Sequence, residues 1–88
     1  MHVSGAEPVV DEARGLSLSF GGGSMGGDGF VALSDAGGRL RWAAFFQGSN
    51  PFARGWLEQD VAVTVSTHGH VWRFPLERPE LVQVAPVE

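Results

Sequence analysis

The sequence predicts an antiparallel all-β domain of about six short strands, whose twisted sheet closes as an open barrel or a sandwich. Segments in which apolar and polar residues alternate are separated by turn-forming residues at short intervals. No segment carries the apolar period of an amphipathic helix. Residues 61–76 contain a hairpin whose pairing follows from its turn and its apolar pattern. A chain of 88 residues has room for one such core.

The first elements lie on either side of a glycine-rich segment. Residues 1–14 are predicted to be a flexible lead-in, and residues 15–88 to form the single β domain. Leu16–Phe20 alternates apolar and polar residues, which is typical of a half-buried strand. Gly21–Gly29 is predicted to be a connection that no strand or helix crosses, because glycine is so permissive.

The middle of the chain predicts a second hairpin. Phe30–Leu33 is a strand, and the turn after it leads into the longer strand 39–47, with Leu33 expected opposite Leu40. Trp42–Phe46 is apolar at every position, which is typical of a strand buried on both faces. We therefore expect strand 39–47 to be central in its sheet.

After this strand, Pro51–Arg54 is predicted to form at most one short helical turn, because proline suits a first helical position and Gly55 an exit. Trp56 then leads into the hairpin. Leu81–Val84 alternates again and is expected to be the last strand.

The hairpin at residues 61–76 is predicted from a two-residue turn at His68-Gly69. This turn places three apolar pairs on one face, which are Val65/Trp72, Val63/Phe74 and Val61/Leu76. Pro75 lacks an N–H group for a further strand, so the last strand should not pair beside it and is expected to pair closer to the turn or with another strand.

Composition excludes several classes of chemistry. The net charge is −4, and the chain contains neither cysteine nor lysine. Disulfides, thiolate zinc sites, cysteine nucleophiles and lysine-dependent phosphate loops are therefore impossible. Broad nucleic-acid binding is disfavoured, because it depends on many cationic contacts. No cofactor or metal is predicted. The lack of Lys, Ile, Tyr and Cys indicates a GC-rich bacterial genome.

The chain start carries no basic and apolar segment of the kind found in secretory signals, and no apolar run is long enough for a membrane span. We expect a soluble, cytoplasmic protein.

Gly22–Gly26 matches the G-x-S-x-G pattern of a nucleophile elbow, with Ser24 in the serine position. That pattern requires a strand that leads into a helix in a parallel sheet, whereas the next predicted element here is a strand. We interpret the match as a product of glycine-rich composition.

His68 and His70 lie at the predicted hairpin tip, and Trp56 is the tryptophan that the pattern does not bury. Together they define a rim where a small ligand could bind or a reaction could occur. A polar turn with an exposed histidine explains the same residues.

Arg39, Arg41 and Arg73 fall on the second faces of their hairpins, and Phe45 shares that face. If the two hairpins lie in one sheet, these residues and Trp56 form a patch that suits an acidic partner. The alternative is that the arginines solubilise an exposed face.

The leading functional hypothesis is a small, non-enzymatic bacterial β module that binds another protein in an accessory or neutralising role. A small-ligand binder or enzyme at the rim of His68, His70 and Trp56 is the first alternative. Single-stranded nucleic-acid binding through the arginine face is the second. The protein is expected to be a monomer or a homodimer paired through an edge strand.

Overall fold

The computed structural model describes residues 3–5, 8–23 and 27–87. Within these ranges it contains nine strands and one short 3₁₀ turn. The strands are β1 (Val3–Gly5), β2 (Val9–Asp11), β3 (Leu16–Gly23), β4 (Gly29–Asp35), β5 (Leu40–Phe46), β6 (Phe52–Glu58), β7 (Val61–Ser66), β8 (His70–Pro75) and β9 (Gln83–Pro86). The predicted all-β antiparallel class is confirmed.

The first sheet has the order β1-β3-β4-β5, and β2 pairs with β3 as well. Residues 3–5 and 9–11, from the predicted lead-in, are therefore strands of this sheet. The glycine-rich connection is shorter than the predicted Gly21–Gly29, because β3 continues to Gly23 and β4 begins at Gly29. Within β3, position 22 favours glycine, because a Cβ there would lie 2.8 Å from the ring of Pro51.

The β4–β5 hairpin is confirmed, but its register differs from the prediction. Leu33 lies opposite Trp42, and an irregularity at Arg41 brings Leu40 opposite Ser34. Leu40 consequently points to the other side of the sheet from Trp42. The prediction of a central β5 is wrong, because β5 is the last strand of its sheet and Phe45 is exposed.

The second sheet has the order β6-β7-β8-β9. The described residues 51–54 do not form the expected helical turn, because Phe52–Glu58 pairs with β7 as a strand. Phe52 begins β6 and is buried in the core, so burial overrides the local turn signal. The 3₁₀ turn lies at Pro79–Leu81 instead.

The β7–β8 hairpin forms, but its predicted register is wrong by one residue. Phe74 pairs with Ala62 and not with Val63, which lies opposite Arg73. The loop contains three residues, because the backbone N–H of Gly69 donates to the carbonyl of Ser66 at 3.1 Å and Gly69 has a φ of 84°. This is the geometry of a three-residue hairpin loop.

The last strand follows the prediction made from Pro75. β9 pairs with residues 70–73 of β8, so the pairing does not reach Pro75. The strand lies two residues further along the chain than Leu81–Val84, because the 3₁₀ turn takes up Leu81.

The inner faces of the two sheets share one core, and neither sheet closes into a barrel. Its buried members come from both sheets and are Leu16, Leu18, Phe20, Val31, Leu33, Phe52, Ala62 and Phe74. The sheets approach closely at Gly55, where a Cβ would lie 2.7 Å from the ring of Phe20. Within the described ranges, no helix has the length and apolar character needed to cross a bilayer.

Candidate interaction surface

The outer face of the first sheet is the surface that points away from the shared core. Side chains alternate along a strand, so the residues that alternate with the buried ones belong to this surface. We call this surface the outer face, and its residues are Val10, Ser17, Ser19, Phe30, Ala32, Ser34, Leu40, Ala43 and Phe45.

The outer face is uncharged, and its largest exposed side chains are apolar. Phe45 is 61% exposed, and Val10 and Leu40 are each 62% exposed. Phe30 lies directly opposite Phe45, with ring centroids 6.1 Å apart. The face as defined contains no ionisable side chain. Exposed apolar surface of this kind marks interaction sites in soluble proteins.

The free edge of β5 adjoins the outer face. The backbone N–H of Asp35 donates to the carbonyl of Arg39 at 2.8 Å, so the odd-numbered residues of β4 bond toward β5. Their partners in β5 include Ala44 and Phe46. The N–H and C=O groups of Ala43 and Phe45 therefore point to the open side, where the sheet ends.

A groove of about 350 Å³ lies beside β5. It is lined by Trp42, Ala43, Ala44 and Phe46 on one side and by Pro79, Glu80 and Val82 on the other. A hydrogen bond to its own backbone N–H lowers the pKa of the Glu80 carboxyl, and the neighbouring guanidinium of Arg78, at 3.2 Å, acts in the same direction. Glu80 therefore supplies a carboxylate to the groove.

A shallow depression of about 530 Å³ continues the outer face at one end, between the β2–β3 turn and the β4–β5 turn. It is lined by Val10, Ser17 and Ser34, with Asp11 and Asp35 at its border. Asp35 accepts hydrogen bonds from the backbone N–H groups in its own turn, and Asp11 pairs with Arg14 at 3.5 Å. These local contacts explain both carboxylates as turn-forming groups.

Arg39 and Arg41 lie in different parts of the structure. Arg39 is exposed in the turn before β5, whereas Arg41 occupies the β5 irregularity. Arg41 lines a groove of about 430 Å³ between the sheets, opposite Asp60 and Glu77. Among the described residues, no carboxylate lies within ion-pair distance of Arg41.

Arg73 and Trp56 lie on the second sheet, on the face that points away from the core. Both are in one cross-strand row, because Val63 pairs with Trp56 on one side and with Arg73 on the other. Arg73 forms an ion pair with Glu58 at 3.3 Å. The hypothesis of one patch made by Arg39, Arg41, Phe45, Arg73 and Trp56 required a single sheet, and the structure places these residues on two.

The rim formed by His68, His70 and Trp56 is also not assembled. The two imidazole rings stack at the hairpin tip, with centroids 6.1 Å apart. Trp72 pairs with Thr64 and Trp56 pairs with Val63, so the two tryptophans point to opposite faces. His70 shares the face of Trp72. In the described part of the chain, no group of three His, Cys, Asp or Glu side chains could hold a metal ion.

Sequence reasoning identified Phe45 but missed Val10, Phe30 and Leu40 as members of the exposed surface. Simple alternation from Trp42 places Leu40 on the core face, but the irregularity at Arg41 reverses its direction. The serines at positions 17, 19 and 34 were a usable signal, because they mark the solvent-facing side of β3 and β4. Ser24, the elbow serine, lies outside the described residues.

No protein-family model matches this chain, and neither the curated proteins nor the solved structures compared with it contain a match.

Proposed function

We propose that this protein is a small non-enzymatic module that binds another protein through the outer face of its first sheet. The observation that carries the proposal is an uncharged sheet face on which Phe45 and Leu40 are both more than 60% exposed. Side chains of this size contribute strongly to binding when a partner removes them from water.

The partner that suits this surface is apolar at its centre. The earlier expectation of an acidic partner depended on an arginine patch, and the arginines are divided between two sheets. Arg39 directly precedes Leu40 and is exposed, so an acidic group at the rim of the interface would fit there.

The proposed role requires no cofactor, metal or catalytic residue. The composition supports a bacterial source, and a cytoplasmic location remains part of the proposal. Neither the rim at His68 and His70 nor an arginine face supports a competing function, because the residues of each hypothesis point in different directions.

The test is affinity capture from lysate of the source cell with three immobilised proteins. The first is the wild type, the second is the double variant Leu40→Ser/Phe45→Ser, and the third is the matched control Trp56→Ser on the second sheet. We expect a protein that the wild type and the control retain equally and that the double variant retains at least about tenfold less, because two anchoring side chains are lost.

Circular dichroism melting of all three proteins establishes that they are folded, which the exposure of Leu40 and Phe45 leads us to expect. Equal retention by all three proteins would overturn the proposal. Retention no greater than that of an unrelated β protein would also overturn it.

A further inference from the structure

We propose that β5 pairs antiparallel with β5 of a second copy of this chain, around a two-fold axis at Ala43. The inference goes beyond the proposed function. It concerns the edge of the same sheet, but the partner is a second copy of this chain and not a different protein. It makes one sheet continuous across both copies.

The backbone of β5 is suited to self-pairing. Ala43 and Phe45 direct their free N–H and C=O groups to the open side of the sheet, as the bond from Asp35 to Arg39 shows. With Ala43 opposite Ala43 of the second copy, the two central residues exchange two hydrogen bonds. Phe45 of each copy then lies opposite Arg41 of the other.

The side chains of β5 also favour this register. Ala43 and Ala44 are small, so two strands can approach without a steric conflict at the axis. Arg41 is the single charged residue of Leu40–Phe46, and this register places it opposite Phe45 of the other copy and not opposite a second arginine. Proline, which protects sheet edges from pairing, does not occur in this strand, and the irregularity at Arg41 lies outside the regularly paired residues 42–46.

The other well-formed edges are less suitable. β6 carries two charged residues, Arg54 and Glu58, whereas β5 carries one. β9 is short and ends at Pro86. The opposite edge of the first sheet is divided between β1 and β2, each of three residues.

Charge complementarity selects a second copy as the occupant of the β5 edge. The groove beside Ala43 and Ala44 contains the carboxylate of Glu80. Arg41, which has no carboxylate within ion-pair distance among the described residues, enters this groove of the other copy. The two-fold axis repeats the contact, so each dimer gains two Arg41–Glu80 pairs.

The first test uses the absence of cysteine from the chain. Bonded antiparallel partners have Cα atoms about 5.5 Å apart, which a disulfide can span. Ala43→Cys should therefore oxidise to a covalent dimer, whereas the control Ala32→Cys, one strand further from the edge, should not. Equal cross-linking of the two variants would overturn the proposed register.

The second test is a charge exchange measured by sedimentation velocity from micromolar to millimolar concentration. We expect the wild type to dimerise and Arg41→Glu or Glu80→Arg to raise the dimer dissociation constant about tenfold, since each substitution acts twice. The double variant R41E/E80R should recover most of this loss, and the control Arg39→Glu should change little.

A wild type that stays monomeric throughout this range would overturn self-pairing, as would an Arg41→Glu variant that behaves like Arg39→Glu. Arg41 and Glu80 lie away from the outer face, so these results do not depend on capture of another protein. Loss of capture on Leu40→Ser/Phe45→Ser without dimerisation would leave the proposed function standing alone.

Discussion

The indole Nε1 of Trp42 donates a hydrogen bond of 2.9 Å to the carbonyl oxygen of Leu76. Trp42 belongs to the edge strand of the first sheet, and Leu76 directly follows β8 of the second. The N–H of Leu76 in turn donates to the carbonyl of Asp60 at 2.8 Å. The bond therefore joins the two sheets at a segment that is held from both sides.

Replacement of Trp42 by Phe should lower the free energy of unfolding by about 1 to 2 kcal/mol, because it removes this donor and leaves a partly buried carbonyl without a partner. The phenyl ring would retain part of the packing against Phe74, whose ring centroid lies 5.6 Å away. Urea denaturation measures the difference. The control Trp56→Phe, at an exposed position, should change stability by less than about 0.5 kcal/mol. Equal effects of the two substitutions would contradict the assigned role of the bond.

Gly29 is a point of close approach between the first sheet and the segment that leads into the second. A Cβ there would lie 2.6 Å from the carbonyl oxygen of Asn50 and 2.8 Å from the ring of Phe52. Gly29→Ala should therefore cost about 1 to 3 kcal/mol, because backbone must move. Gly27→Ala is the matched control, since a Cβ at Gly27 meets nothing within 4 Å. Thermal melting of both variants tests the difference, which should vanish if the segment can move aside freely.

The all-β class could be predicted from sequence, whereas the register of the β7–β8 hairpin could not. The apolar alternation of Val61, Val63 and Val65 fixes a register only if one face of the strand is buried. In the structure every residue from Ala62 to Ser66 is buried. Consecutive residues point to opposite faces, so both faces of β7 are covered, and a shift of one residue exposes nothing.

The opposite error occurred in β5. Trp42–Phe46 is apolar at every position, and this pattern predicted a central strand. The strand is an edge, with Trp42 and Phe46 packed on the core and Phe45 exposed. A continuous apolar run occurs in strands buried on both faces and also in an edge strand with one exposed apolar face, and sequence alone does not distinguish these cases.

The candidate site was partly predictable for a related reason. Phe45 could be identified because alternation places it opposite the core residues of its own strand. Sequence could not show that Arg73 and Trp56 lie on a different sheet from Phe45, because the division of the strands into two sheets depends on the path of residues 47–51. That path is set by packing of Gly22 against Pro51 and of Gly29 against Phe52, which are contacts distant in sequence.

Gly69 determines the length of the β7–β8 loop, because its φ of 84° is the left-handed conformation that closes a three-residue loop. Gly69→Ala should cost about 1 kcal/mol, and Gly69→Asn should cost less, since asparagine tolerates this region better. Gly37→Ala serves as the control in another turn, because Gly37 is not among the described glycines with positive φ. Denaturant midpoints that are the same for Gly69→Ala and Gly37→Ala would argue for a loop of different geometry.

Thr64 and Trp72 lie directly opposite each other on the core side of the second sheet. Thr64 Oγ1 and Trp72 Nε1 are both buried, and neither has a hydrogen-bond partner within the described part of the chain. Valine has nearly the shape of threonine and the same branching at Cβ. Thr64→Val should therefore raise the free energy of unfolding by about 1 kcal/mol, because it removes a buried polar atom that forms no bond.

The matched control is Thr67→Val at the exposed hairpin loop, where the hydroxyl is solvated and the change should be small. Urea titrations followed by tryptophan fluorescence compare the two variants with the wild type. A Thr64→Val protein less stable than Thr67→Val would mean that the hydroxyl accepts a bond from Trp72 Nε1 in solution. In that case Trp72→Phe would show the same loss, and combination of the two substitutions would cost less than their sum, because the second partner would no longer be left unpaired.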